Sequence, residues 1–492
     1  MKEKNKQSTQ YDAYEMVIGL EVHVELSTKS KIFCGCSTTY GAPPNTQVCA
    51  VCLGFPGTLP VLNEQVVAYA AKAALALNCS INEWGRQDRK NYFYPDLPKA
   101  YQISQNEFPI GYKGHLNIET HDGEKKIGIT RLHIEEDAGK LIHEGESGTR
   151  IDYNRGGVPL IEIVSEPDLR SADEVKAYLH KLRATLLYLE ISSCKMNEGA
   201  FRCDVNLSVR KKGDLNLGTR TEMKNLNAFS HIVKAIEHES RRQIDLLESE
   251  GQVIQETRRW DANKGASTAL RSKEDAHDYR YFPDPDLMPI VLTEAVVEKL
   301  RAEIPQLPDA YKRSFMTQFD IKPQVAEQLV KTRELAIFFE TAAKCTEYPE
   351  VLSNLMVTEG FRLMGTEDDF GSFPDAEKVS QLADLIGAGK INLGIAKKVL
   401  NVVWERNLTP ESILNDNDWW PIDSYEVIKA IGQEIIKEMP QITKDFLSGK
   451  SKAIGAFMGQ MMKRTEGKAD PDVSESVFYE LITPYREDPQ LN

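Results

Sequence analysis

Four cysteines stand in two close pairs, Cys34-x-Cys36 and Cys49-x-x-Cys52, with twelve residues between the pairs. Soft thiolates at this spacing can close a tetrahedron around Zn²⁺. Four protein ligands leave no open position for a substrate, so such a metal is structural. The intervening STTYGAPPNTQV is too rich in turn formers to order itself, and the metal would supply the missing ordering energy. The alternative is four unrelated reduced cysteines. Cys79, Cys194, Cys203 and Cys345 are scattered and read as small buried hydrophobes.

A second group is acidic. Val17 to Leu26 alternates, so that Glu21, His23 and Glu25 leave one face of a strand while Val22, Val24 and Leu26 leave the other. Carboxylates crowded on one sheet face are either solvated or gathered round a cation, and carboxylate with one imidazole suits Mg²⁺ or Mn²⁺. Two later segments favour the cation. Glu135-Glu136-Asp137 follows the strand-like ITRLHI, and Glu162 sits inside the apolar VPLIEIV, where an unpaired carboxylate is costly.

Cations beside aromatics recur in Arg89-Lys90-Asn-Tyr-Phe-Tyr-Pro-Asp-Leu-Pro-Lys99, in Arg258-Arg259-Trp260 and in His277-Asp-Tyr-Arg280-Tyr-Phe. Such patches can receive a nucleotide or an RNA end, although Arg packed on Tyr is common in cores. Near the C-terminus, Lys444, Lys450, Lys452, Lys463, Arg464 and Lys468 stand against Asp445, Glu466 and Asp470, a basic island in a chain of net charge −14. It is either a phosphate-contacting surface or a solvated helix face. No phosphate-cradling loop with its Gly-Lys-Ser/Thr is complete: Ser448-Gly449-Lys450-Ser451 has Lys444 where the first glycine belongs. No Gly-x-Ser-x-Gly elbow occurs either, so no activated serine is apparent and any nitrogen donor must be hydrolysed elsewhere.

The elements that must position these residues are of two kinds. From Tyr14 to about Pro289, short β-type runs alternate with Gly, Pro and Asn turns and with helices expected at Gln65–Leu77, at Ala172–Leu189 behind a Ser171/Glu174 capping box, and from about Ala228 to before Gly251. After Pro305 and Pro308, helical periodicity takes over, as in VAEQLVKTRELAIFFETAA, and Trp404 to Trp420 reads as loop. The chain of 492 residues is therefore expected to be α+β, with a sheet-based domain at 1–300, a helical domain at 301–410 and a small helical tail at 411–492. With 41% hydrophobic and 27% charged residues, wholesale disorder is excluded. Val66 to Leu77, the longest mostly apolar stretch, is too short to span a bilayer, and the polar start lacks a secretory apolar core. A cytoplasmic protein with no membrane contact is expected.

VIGLEVHVEL, KIFCGC, NYFYPDLPKAYQISQ, GITRLHIEEDAGK, GVPLIEIVSEPD, RCDVNLSVR and DYRYFPDPDL, in this order, closely resemble the GatB family of tRNA-dependent amidotransferase components, over essentially the whole chain. The resemblance implies an ATP-dependent ligase in protein biosynthesis. It would phosphorylate the side-chain carboxylate of mischarged Glu-tRNA(Gln) or Asp-tRNA(Asn), then amidate it with ammonia from an amidase-like partner (GatA) in a heterotrimer completed by a small third protein (GatC). It implies a Mg²⁺ held by Glu21, His23, Glu136 and Glu162, an ammonia path lined or gated by Lys90 and Lys99, and structural Zn²⁺ on the four cysteines. The tail resembles a GatB/YqeY module, which makes Lys450, Lys452, Lys463, Arg464 and Lys468 tRNA-contacting candidates. A zinc-bearing RNA-binding protein without catalysis is the alternative, and it requires solvated carboxylates.

Metal analysis of freshly purified, reduced protein should return about one zinc per chain, and Cys49→Ser should lower both zinc content and solubility. Zinc-free wild-type protein of normal solubility would contradict the site.

Overall fold

A computed structural model describes residues 11–121, 123–143, 148–272, 279–366, 369–370, 373–422, 424–448 and 453–483. The chain forms two compact units, divided between Leu307 and Pro308. The division falls where two prolines were expected to end the sheet-based region. The helical domain and the tail, expected as separate domains, belong to one unit.

The first unit carries strands β1 (Tyr14–Glu25), β2 (Ser80–Ile81), β3 (Trp84–Gly85), β4 (Asp88–Asn91), β5 (Tyr101–Ser104), β6 (Gly111–Thr120), β7 (Gly123–Glu136), β8 (Lys140–His143), β9 (Thr149–Asp152), β10 (Pro159–Ser165), β11 (Phe201–Lys211), β12 (Thr221–Lys224), β13 (Glu256–Asp261) and β14 (Ala266–Ser272). Nine of them form one sheet in the order β14-β13-β12-β11-β1-β10-β7-β6-β2. The β1 strand lies at its centre, antiparallel to β10 and β11. A smaller sheet pairs β4 with β5 and with Phe282–Pro283.

Alternation makes the two faces of the large sheet chemically opposite. Val22, Val24, Ile161, Ile163, Leu132, Ile134, Cys203 and Val205 belong to one continuous buried core. That core is completed by helices α1 (Glu64–Ala76), α2 (Ala172–Tyr188) and α3 (Phe229–Glu248), which supply Ala70, Ala74, Leu179, Leu182, Ile232 and Ile236. The expected capping box is formed only in part: Ser171 accepts from the Glu174 amide at 3.1 Å, but the Glu174 carboxylate reaches the Arg170 amide, one residue short of the reciprocal partner. The opposite face, freed of helices, holds the charged residues.

The second unit is helical, with aromatic packing at its start, where the Phe315 and Phe339 rings meet edge to face at 4.8 Å. Its last four helices, Tyr425–Glu438, Pro440–Leu447, Ala453–Arg464 and Pro471–Ile482, enclose their own core around Ile428, Ile435, Phe457, Met461 and Phe478. The expected loop from Trp404 to Trp420 is largely helix, because Thr409 caps Pro410–Asp416 and proline fits the first helical turn. Cys345 is exposed, contrary to its reading as a buried hydrophobe, whereas Cys79, Cys194 and Cys203 are buried. Among the described residues no helix is long and apolar enough to cross a membrane.

Leu182→Ala, in the layer between sheet and helices, should destabilise the first unit by about 2–5 kcal/mol, read as a lowered denaturation midpoint with zinc content retained. An unchanged midpoint would mean that α2 contributes little to the core.

Candidate metal and phosphoryl-transfer site

Register builds the site. Across β11, β1, β10 and β7 the residues Arg202, His23, Glu162 and His133 lie directly opposite one another, a polar row over four adjacent strands. Glu135, two residues beyond His133 on the same side of β7, closes the cluster. His23 Nε2 lies 3.5 Å from Glu162 and 3.6 Å from Glu135, and His133 Nε2 lies 3.2 Å and 3.6 Å from the same carboxylates. His23, Glu135 and Glu162 each bring a ligand atom within 4.8 Å of the others. One imidazole and two carboxylates, largely buried, fit a hard divalent cation such as Mg²⁺.

Strand parity does not bring the four expected residues together. Glu136 follows Glu135 on β7, so its side chain leaves the other face. There it pairs with Lys99 at 2.5 and 2.6 Å and accepts the Ile103 amide at 2.9 Å. Glu21 also stands apart from the cluster of three. It accepts from Asn206 at 2.9 Å and approaches Asp204 and Glu222, both of which pair with Lys224. Of the four residues expected together, the structure brings His23 and Glu162 together with Glu135 and places Glu21 and Glu136 apart from them. His133, Arg202 and Asp204, which the sequence reading did not single out, lie beside these groups. Their signal was the same alternation that exposed Glu21 and His23, visible in LHIEE and in RCDVN.

Burial and charge act against each other here. Burial disfavours charge on His133, yet the Glu162 carboxylate and the hydrogen bond to Glu135 outweigh it and push the imidazole up to about 9. His23 is raised in the same way, burial opposing and Glu162 prevailing. Burial would raise Glu162, but His133 and His23 hold it well below the usual carboxylate range. Lys90, on β4, is penalised by burial and nevertheless raised by Glu135, the Tyr281 and Tyr279 phenols and Glu162, and its ammonium lies 4.8 Å from the Tyr279 ring. At the next step along β1, burial and the neighbouring Asp137 push Glu25 up to about 7. Arg202 holds Asp137 at 2.9 Å.

The four cysteines converge: Cys34, Cys36, Cys49 and Cys52 bring their sulfurs within 4.8 Å of one another. Cys52 is pulled down to about 4, first by a hydrogen bond with Cys34 and then, against burial, by the Cys49 backbone and the Lys31 ammonium. A set in which one thiol is already thiolate-like, with the Cys49 amide donating to its sulfur at 3.2 Å, fits a soft tetrahedral cation.

Of the basic island, Lys450 and Lys452 lie outside the described residues, as do His277 and Asp278 of the cation–aromatic segment. Lys463 is exposed. Arg464 pairs with Glu434 and Glu438, and Lys468 with Asp418 at 2.9 Å. These pairs are at the surface, where ion pairs are weak and exchangeable.

Residues 16–298 match the family model described as the GatB/GatE catalytic domain, and residues 337–482 match the GatB domain model. The chain is similar to proteins named as the B component of aspartyl/glutamyl-tRNA(Asn/Gln) amidotransferases. That of Caldanaerobacter subterraneus subsp. tengcongensis is 49% identical over 474 residues, covering 96% of this chain and 99% of the relative. That of Agathobacter rectalis is 50% identical over 475 residues, covering 95% and 99%.

The histidine–carboxylate cluster sets a pH dependence. A histidine whose folded pKa is raised adds stability that is fully present below its unfolded value of about 6.5 and is lost as pH climbs through the folded one. In chelator-treated protein the thermal midpoint should therefore fall between pH 6.5 and about 9, and His133→Gln should flatten that slope. Parallel slopes for the two proteins would remove His133 as its source.

Proposed function

The chain belongs to the GatB family, and from that premise we propose that it performs the ATP-dependent half of tRNA-dependent transamidation. The substrate is Glu-tRNA(Gln), Asp-tRNA(Asn) or both. The observation that carries this reading is the convergence of His23 with the buried Glu135 and Glu162. A carboxylate is a poor electrophile, whereas an acyl phosphate carries a good leaving group, so the substrate carboxylate must first take the γ-phosphoryl group of ATP. Bound Mg²⁺ would supply the charge that neutralises the phosphate oxygens. His23, Glu135 and Glu162 would hold that ion, with His23 deprotonated at Nε2. His133 lies 3.2 Å from Glu162 and fixes that carboxylate. Lys90 adds a positive charge beside the cluster, suited to orienting anionic phosphoryl oxygens or to lining the route by which ammonia arrives.

Ammonia then displaces phosphate to give the amide. It would come from glutamine hydrolysed in an amidase-like partner, with a small third protein completing the assembly. Lys99 and the buried Glu136, paired, suit a place on its path, where acid and base side by side can take a proton from ammonium and pass on neutral ammonia. The cysteine set would hold Zn²⁺ with no catalytic part. The exposed Lys463, with Arg464 and Lys468 held only by surface ion pairs, suits contact with the tRNA backbone. A purely RNA-binding protein would need no buried carboxylates, and the burial of Glu135 and Glu162 speaks against it.

The assembled complex separates these roles. Glu135→Gln and Glu162→Gln should each lower tRNA-dependent ATP cleavage by about a hundredfold or more while basal glutamine hydrolysis persists. Glu136→Gln should spare ATP cleavage and lower glutamine-driven amidation. Loss of ATP cleavage in Glu136→Gln with retention in Glu135→Gln would restore the ligand set expected from the sequence.

A further inference from the structure

We infer that the four-cysteine knuckle is a positioning device for Lys99, holding it against Glu136 in the wall of the cavity the three share. The inference rests on the proposed place of Lys99 in the ammonia path and adds what keeps that residue there. A cavity of about 140 Å³ is bounded on one side by Cys34, Cys52 and Gly54 and on the other by Lys99 and Glu136. Both halves of the knuckle touch Lys99. Phe33, next to Cys34, presents its ring 5.6 Å from the ammonium. Gly54, two residues past Cys52, is packed so tightly that a Cβ there would lie 2.5 Å from Lys99 Cγ, and its φ of +67° is one that favours glycine. The turn carrying Gly54 is tied to the second cysteine pair, since the Leu53 amide donates to Cys49 O and the Gly54 amide to Val51 O, each at 3.0 Å.

Lys31 ties the knuckle to the sheet. It is only 1% exposed, a burial that a lysine tolerates only with partners. Its ammonium lies 3.7 Å from Cys52 Sγ and donates to Tyr153 O at 3.2 Å, close to where β9 ends. A metal on the four sulfurs would draw the Phe33 and Gly54 halves together, and so fix the two surfaces that confine the Lys99 stem. A chain whose knuckle is loosened retains its phosphoryl-transfer cluster, which stands on other strands, and loses the alignment of Lys99 with Glu136.

The test is a mutant cycle of Gly54→Ala and Lys99→Ala in the assembled complex, reading zinc content, thermal midpoint, tRNA-dependent ATP cleavage and glutamine-driven amidation. Gly54→Ala should keep its zinc and its ATP cleavage and lower amidation by about tenfold or more, the scale of a side chain misplaced by an ångström. Lys99→Ala removes the atom that the new methyl strikes, so the double variant should match Lys99→Ala alone. Phe33→Leu, which keeps an apolar side chain and removes the ring, should lower amidation in the same direction. Additive losses in the cycle, or undiminished amidation in Gly54→Ala, overturn the inference. Full amidation by Lys99→Ala alone means instead that the ammonia-path reading fails. Positioning is then judged by the thermal midpoints: a Gly54→Ala shift that shrinks beside Lys99→Ala to the part its positive φ imposes supports it, and one of unchanged size overturns it.

Discussion

Carboxylates withdrawn from water on the open face of the central sheet are the constraint from which the rest of the first unit follows. Glu135 and Glu162 are buried on adjacent antiparallel strands, and neither could remain ionised there without positive charge close by. Two imidazoles meet that demand within the protein, His133 and His23 lying 3.2 and 3.5 Å from Glu162. The same demand explains why the helices cover only the opposite face of these strands: a helix laid over the polar row would strand the charges without solvent or ligand.

Strand parity then separates two uses of neighbouring acids. Glu135 and Glu136 are adjacent in sequence, yet one faces the histidines and the other Lys99. Two adjacent positions on β7 therefore face a histidine–carboxylate cluster and an ion pair with Lys99 on opposite sides of one sheet. Two chemically distinct surroundings arise from a single strand because a strand alternates its side chains.

The cysteine knuckle contributes in another way. Its loop has little apolar surface of its own, so its order must come from the sulfurs and from Lys31, which spans from Cys52 to Tyr153. What the knuckle confines is a lysine stem, through contacts too close for any residue but glycine at position 54.

The sequence by itself determined what depends on local period and spacing. The alternation of Val17 to Leu26 announced a strand with one charged face, the spacing of four thiols announced a cluster of sulfurs, and the long ordered motifs announced the family. The helices at 64–76, 172–188 and 229–248 fell within a few residues of their expected ends because caps and apolar periodicity are local. The short helix at 410–416 was read as loop because its tryptophan- and asparagine-rich flank hid the Thr409 cap and the Pro410 start. Which acids gather around the histidines was decided only in the tertiary structure. The pairing of Glu162 with His133 and His23 arises from the register between β10 and its two neighbours, fixed by hydrogen bonds between strands more than twenty residues apart. No periodicity within a single strand records which of two adjacent glutamates will face a histidine on another, and that choice is where the site is made.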